Sequence, residues 1–393
     1  MNSNIEQEVK PKVSMMKILP VIFGFFIMGF VDMIGIVSNY VKVDFSISDS
    51  LVNLISLSCF FWFLVISIPT GLLMNKIGRK NTVLISYIFT FAGLLVPWFS
   101  YSFAVIIVAF ALIGIGNAII QVALNPLVTN VVSKDKLTGT LTLGQFVKAI
   151  SSCLGPIVAA WFASYFLDWK LIFPVYALTT LLSGFWLWAT PIQQEQIDKN
   201  SAVSFKSTLS LLKDKRILFL FIGILVLVGV DVGINTTLPK YLMEKCGMEL
   251  NDAILGNSVY FFVRTISAFC GGILLMKFSE YKFFKYSVLA SLVGLIFLIF
   301  SSSMVQILAC IVVFGLGYAN LFSIIFSLAL KLMPDKANEV SSLLIVGVSG
   351  GAIVTPLLGV SSDIFHTQVA AVVILLVVWL YMVWMIRNIK ENN

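Results

Sequence analysis

Several polar or ionisable residues interrupt long apolar runs of this chain: Asp32, Asn39, Gln121, Asn125, Gln145, Lys148, Asp231, Asn235, Arg264 and Asn320. A charge at the centre of a hydrocarbon core costs about 2.5 to 3.5 kcal/mol, so each ionisable group needs a partner, a water-filled cavity or a proton. Asp32 lies near the middle of the run Ile18 to Tyr40, and Asp231 follows a similar glycine-containing run between Ile217 and Tyr241. A carboxylate there that is exposed to one face and then to the other can carry a proton or a cation; the alternative is a static ion pair or a helix cap. Asp231 either mirrors Asp32 or pairs with Arg264, whose guanidinium stays charged and demands a carboxylate, carbonyls or an anionic solute. Lys148 either pairs with Asp32, snorkels, or binds a carboxylate on a solute. The amides Gln121, Asn125, Gln145, Asn235 and Asn320 offer the donors and acceptors that a hydroxyl-dense solute needs, and Phe26, Trp62 or Tyr260 the aromatic face. Bridging of helices is the structural alternative for the amides.

These residues sit in a chain that a soluble fold cannot accommodate. Of 393 residues, 59% are hydrophobic and 11% charged, and the mean hydropathy is +1.00. The expected fold class is an all-α polytopic membrane protein of twelve transmembrane helices. The helices are expected at Ile18–Tyr40, Leu51–Met74, Asn81–Phe99, Phe103–Val132, Leu137–Phe166, Trp169–Ala189, Ile217–Tyr241, Ile254–Met276, Phe283–Ser301, Met304–Leu332, Val340–Ser361 and Val369–Ile386. The polar interval from Pro191 to Arg216 divides them, with an amphipathic helix expected around Phe205, Leu209 and Leu212. The domain plan is therefore a tail (1–17), a six-helix bundle (18–190), a linker (191–216), a second bundle (217–386) and a tail (387–393). The first apolar run is expected to stay as a helix rather than to be cleaved.

The net charge of +7 lies in the short gaps between apolar runs, which is a topology pattern and not a nucleic-acid surface. Lys10, Lys12, Lys17, Lys76, Arg79, Lys80, Lys134, Lys136, Lys199, Lys206, Lys213, Lys215, Arg216, Lys277, Lys282, Lys285, Lys331, Lys336, Arg387 and Lys390 fall on the side of the N-terminus, against Lys42, Lys170, Lys240 and Lys245 on the other. Both termini are accordingly expected in the cytoplasm. Cys59, Cys153, Cys270 and Cys310 read as small core residues and His366 as a solvated loop residue. The sequence offers no nucleotide-binding loop, nucleophile triad or metal cluster, so neither an enzyme nor a cofactor is expected.

The two halves repeat. Asp32 and Asp231, Gly114 and Gly315, Gly116 and Gly317, and Pro156 and Pro356 are each about 200 residues apart. Six helices repeated in parallel make the architecture of alternating-access carriers built from two bundles. Pro126, beside Asn125, and the matched Pro156 and Pro356 are expected to bend their helices, and the glycines to let helices pack closely.

The turn Gly71-Leu-Leu-Met-Asn75-Lys-Ile-Gly78-Arg79-Lys80 resembles the loop 2–3 signature of the major facilitator superfamily, which usually has an aspartate in place of Asn75. Within it, Gln121-Val-Ala-Leu-Asn125-Pro126 and Leu143-Gly-Gln145 resemble the fucose/glucose/galactose:proton symporters. The resemblance implies the two-bundle major facilitator fold, a monosaccharide as solute and a proton as coupling ion. It also implies that Gly78, Arg79 and Lys80 cap the ends of helices 2 and 3, and that Arg264 has an architectural role. The family's helix 4 acid falls on Gln121, and its helix 1 acid falls near Gly35, one turn beyond Asp32. Sodium coupling and uniport therefore stay open, as does an anionic solute bound by Lys148. A monomeric carrier in a bacterial inner membrane is expected, with lipid as its surroundings and no nucleic-acid partner; a non-transporting receptor is the alternative from another class.

Overall fold

The computed structural model describes residues 15–128, 130–132, 134–193, 205–274, 279–333 and 336–391. Residues 1–14 and 194–204, Lys277, and the side chains of Asn75, Lys134, Lys136, Lys331 and Lys390 lie outside the described part. Among the described residues, twelve helices are long and apolar enough to cross a membrane. Spans 1 to 6 are Met15–Phe45, Asp49–Met74, Arg79–Phe99, Phe103–Val128, Leu143–Phe166 and Trp169–Ala189; spans 7 to 12 are Lys215–Cys246, Leu250–Gly271, Glu280–Phe300, Met304–Phe326, Ser342–Phe365 and Gln368–Arg387. The chain enters span 1 at what we call the near face; the opposite side is the far face.

Buried apolar side chains gather in two clusters, one built mainly from spans 1 to 6 and one from spans 7 to 12. The protein is thus the expected pair of six-helix bundles. Val232, Ile254, Ile345, Val348 and Ala352 of the second half pack into the first cluster, so spans 7, 8 and 11 form the seam. In span 1, 83% of the apolar stretch is buried, with 78% in span 11 and 67% in span 7, against 33–44% in spans 3, 5, 6, 8, 9 and 12. Long apolar residues cover the outer helices, as lipid-facing surfaces require.

Glycines set how closely the spans approach, and they do so in register. Gly93 lies against Ala109 and Ile113, and Gly294 against Cys310 and Phe314; Gly116 faces Ser86 and Thr90, and Gly317 faces Ser287 and Ser291. The sequence repeat is therefore also a packing repeat. Between spans 7 and 11, a Cβ added to Gly350 would sit 1.8 Å from the Leu225 carbonyl oxygen.

Four spans expected as continuous are interrupted, among them span 2, where Asn53 separates Asp49–Val52 from the helix that starts at Leu54. Span 1 passes through a 3-10 turn at Gly29–Met33, span 11 through another at Gly347–Ser349, and span 10 breaks between Tyr318 and Leu321, where Asn320 precedes the new helix. Apolar periodicity does not reveal such breaks, because the side chains on either side remain apolar. Other ends differ by a few residues: span 4 stops at Val128 rather than Val132, and span 7 continues to Cys246, where Gly247 at φ +63° ends it. The linker forms a helix at Phe205–Ser210 and a 3-10 turn at Leu211–Lys213. There Thr208 and Leu211 are buried while Leu209 is exposed. Asp214 caps span 7, and the Arg216 guanidinium beside it holds its carboxyl below the usual carboxylate range. Cys270, expected in the core, is exposed because span 8 turns that face outward.

Gly350→Ala should destabilise the protein by about 1–3 kcal/mol through overpacking. Gly315→Ala, whose new Cβ would lie 3.3 Å from Val263, should cost less. Thermal unfolding midpoints of the two variants in detergent check the order.

Candidate functional site at the bundle interface

The site grows from the break in span 1. A 3-10 turn inside a helix leaves backbone carbonyls without their usual donors, and in a membrane lipid cannot supply them. The Met28 carbonyl, before the turn, accepts from Asn117 Nδ2 of span 4 at 2.9 Å. The Asp32 carbonyl, within it, accepts from Asn235 Nδ2 of span 7 at 2.9 Å. Gly29 permits close contact with span 5, since a Cβ there would lie 2.8 Å from the Lys148 carbonyl oxygen. The turn thus aims the Asp32 carboxylate at span 5, where it accepts a hydrogen bond from the Ser152 hydroxyl.

Four ionisable groups from both halves share this region. Lys148, one turn before Ser152, interacts electrostatically with Asp32, Arg264 and Asp231. It forms no ion pair among the described residues. Asp231 has a closer partner: Arg264 Nη1 reaches both of its carboxylate oxygens at 2.7 Å. Tyr260 donates to Asp231 as well, and the guanidinium carbon lies 5.5 Å from the Tyr318 ring centroid and 5.6 Å from that of Phe261. A partly buried arginine held by a carboxylate and ringed by aromatics satisfies the demand that its fixed charge makes.

The polar residues singled out from sequence divide by placement. On span 4, Gln121 donates to Asn117 Oδ1 at 2.8 Å and Asn125 to the Gln121 carbonyl at 3.3 Å, a row along one helix face. Gln145 is exposed on span 5 and Lys148 partly so. Asn235 and Asn320 are buried, with their amides directed to other helices; Asn320 donates to the Ser267 carbonyl at 2.9 Å, and Gly271 leaves it room. Asn39 donates to Gly35 and to Thr236 across the seam. Of the aromatic candidates, Tyr260 is fully buried around Asp231 rather than open to a solute, Phe26 stacks on Phe23, and Trp62 meets Phe61 edge-on. Pro126, Pro156 and Pro356 all lie inside helices. Sequence reasoning missed Asn117, Ser152 and Asn257; only Asn117 carried a signal, its spacing of four from Gln121.

At the near face Gly78 joins spans 2 and 3 at φ +83°, a conformation that favours glycine. Arg79 and Lys80 also reach other spans. Arg79 donates to the Pro126 carbonyl and to Asn130 Oδ1 at 2.7 Å, and Lys80 to the Trp188 and Thr190 carbonyls at 2.9 and 2.8 Å. The cations go to the ends of spans 4 and 6 because C-terminal carbonyls there lack helical donors.

At the far face the two halves are tied by a polar network. Asp49 of span 2 accepts from Lys42 at 2.8 Å, from Lys240 of span 7 at 2.9 Å and from Gln368 of span 12. Asp363 of span 11 accepts from the backbone N–H groups of Asp49 and Ser50 at 2.9 and 2.8 Å, so one bundle caps a helix of the other. Tyr40 donates to Asn251 at 2.7 Å and Asn53 to the Thr355 carbonyl at 2.9 Å. Beside this network an open cavity of about 500 Å³ is lined by Lys42, Asp49, Glu244, Asp363 and the exposed His366.

A family model described as Major Facilitator Superfamily matches residues 21–356. The chain belongs to the major facilitator superfamily. It is a transporter of that superfamily, and it resembles the fucose/glucose/galactose:proton symporters. A glucose/galactose transporter of Brucella abortus is 24% identical over 364 residues, covering 88% of this chain and 87% of the relative. The L-fucose-proton symporter of Escherichia coli is 22% identical over 358 residues, 81% of this chain and 80% of its own. A crystal structure of that symporter matches with a TM-score of 0.70 at 18% identity, over 96% of this chain and 99% of the other. A probable nitrate transporter of Staphylococcus haemolyticus is 24% identical over 298 residues, 71% and 72% of the two chains.

Lys240→Met removes the buried cation that binds Asp49 across the halves, and breaking such a pair is strongly unfavourable. The far face should then open in at least about tenfold more molecules, the shift that ~1.4 kcal/mol gives. Spin labels at Ser48→Cys and Thr367→Cys, in a background freed of the five native cysteines, would report it as a longer distance population.

Proposed function

We propose that this transporter imports a monosaccharide of the hexose or deoxyhexose type by alternating access, coupled to protons. The observation that carries the reading is Asp32. It stands on a broken helix between the bundles and accepts a hydrogen bond from the Ser152 hydroxyl, with no ion pair among the described residues, whereas Asp231 is closed by Arg264. A carboxylate so placed can release and take up a proton as the seam opens to one face and then the other. Gln121, Asn125, Gln145 and Lys148, on spans 4 and 5, are the side chains proposed to meet the solute's hydroxyls, with Asn235 and Asn320 shaping the site from behind. The names of the glucose/galactose and fucose relatives support the sugar. The excess of Lys and Arg on the near face supports termini in the cytoplasm, and a bacterial inner membrane and a monomer complete the proposal.

A second reading has its own observation. Lys148 forms no ion pair among the described residues, and a solute carboxylate or another anion would fit beside it; one relative is named a nitrate transporter.

Proteoliposomes given D-glucose, D-galactose, L-fucose, D-galacturonate and nitrate under imposed proton or sodium gradients decide between the readings. Accumulation of a neutral sugar on an inward proton gradient is expected. Asp32→Asn should lower that accumulation by about tenfold or more while leaving exchange without a gradient. Uptake confined to the anions and lost in Lys148→Gln would favour the second reading. Accumulation and pH dependence unchanged in Asp32→Asn would remove that residue from coupling.

A further inference from the structure

Asn257 of span 8 has no exposed surface, and its side-chain hydrogen bonds among the described residues go to Asn235. Its Nδ2 donates both to the Asn235 carbonyl at 2.9 Å and to Asn235 Oδ1 at 2.8 Å. An amide has one oxygen and one nitrogen, so holding Oδ1 toward Asn257 turns Nδ2 the other way. That nitrogen meets the Asp32 carbonyl in the 3-10 turn of span 1. Were the Asn235 amide reversed, its oxygen would face the Asp32 carbonyl, acceptor against acceptor. Gly35 completes the fit, because a Cβ there would lie 2.4 Å from Asn235 Oδ1.

We propose that Asn257 and Asn235 are positioning residues for Asp32: Asn257 fixes the sense of the Asn235 amide, and Asn235 fixes the turn that brings the Asp32 carboxylate to Ser152. The bundle that does not contain Asp32 thereby decides how Asp32 is held, and the contact crosses the seam that must part in a transport cycle. The inference rests on Asp32 as the coupling group. Charged and titratable groups facing Asp32 are Lys148 of span 5, Arg264 of span 8, Tyr176 of span 6, Tyr318 of span 10 and Cys59 of span 2. Asn257 is neutral, so its replacement by another neutral residue leaves those charges in place and acts through geometry.

The test is infrared difference spectroscopy of the full-length protein in liposomes, with the Asp32 carboxyl band assigned by subtraction of Asp32→Asn. Ser152→Ala shifts that band by removing its hydrogen bond. Asn257→Leu should give a shift in the same direction, and Asn257→Gln, which restores an amide donor, should move the band back toward the wild type. Asn257→Ser and Asn235→Ser are milder variants for use if Asn257→Leu does not fold, and both should shift the band. A band that moves in Ser152→Ala but stays at the wild-type position in the Asn257 and Asn235 variants overturns the proposal, as does a band that ignores Ser152→Ala. Gradient-driven uptake by Asp32→Asn tests the coupling reading separately, so the two failures are distinguishable.

Discussion

A helix that breaks inside a membrane must find donors for the carbonyls it frees, and lipid provides none. Span 1 breaks at the seam between the bundles, and its freed carbonyls are met from both sides, by Asn117 of its own bundle and by Asn235 of the other. Much follows from that. The 3-10 turn sets the direction of Asp32, the glycine at its start lets span 5 approach, and span 5 brings Ser152 and Lys148. A continuous helix in span 1 would have no need of Asn235, and the two halves would lose a central polar contact.

The repeat makes the halves alike in packing and unlike in charge. Matched glycines place spans 3 and 4 as they place spans 9 and 10. The matched aspartates have different surroundings: Asp231 is bound by a guanidinium and a phenol, Asp32 by a hydroxyl. Both carboxylates accept hydrogen bonds, but Asp231 also meets a full opposite charge at contact distance. Two matched positions of the repeat thus stand in different electrostatic surroundings.

The far-face network is built from charges rather than apolar contacts. Such a seam can part, because the carboxylates and ammonium groups that separate regain water at the surface, whereas separated apolar faces would not. Capping of the turn at Asp49–Val52 by Asp363 of the other bundle ties the closed seam to the order of a helix end.

Sequence by itself determined the fold class, the number of spans, the division into two bundles and the depth of Asp32, Lys148, Asp231 and Arg264, because hydropathy and a repeat of about 200 residues are properties of the chain read in one dimension. It also left Asp231 with two readings and Lys148 with three. Tertiary structure decided which alternative each took: Asp231 closed on Arg264, Lys148 formed no ion pair among the described residues, Asn235 and Asn320 turned to other helices, and Arg79 and Lys80 went to spans 4 and 6. The interruptions in spans 1, 2, 10 and 11 and the roles of Ser152, Asn257, Asp49, Lys240 and Asp363 were also beyond reach of the sequence. The reason is physical: a side chain's partner depends on which helix face lies opposite it, and rotation and neighbourhood of helices are fixed only when the bundles pack.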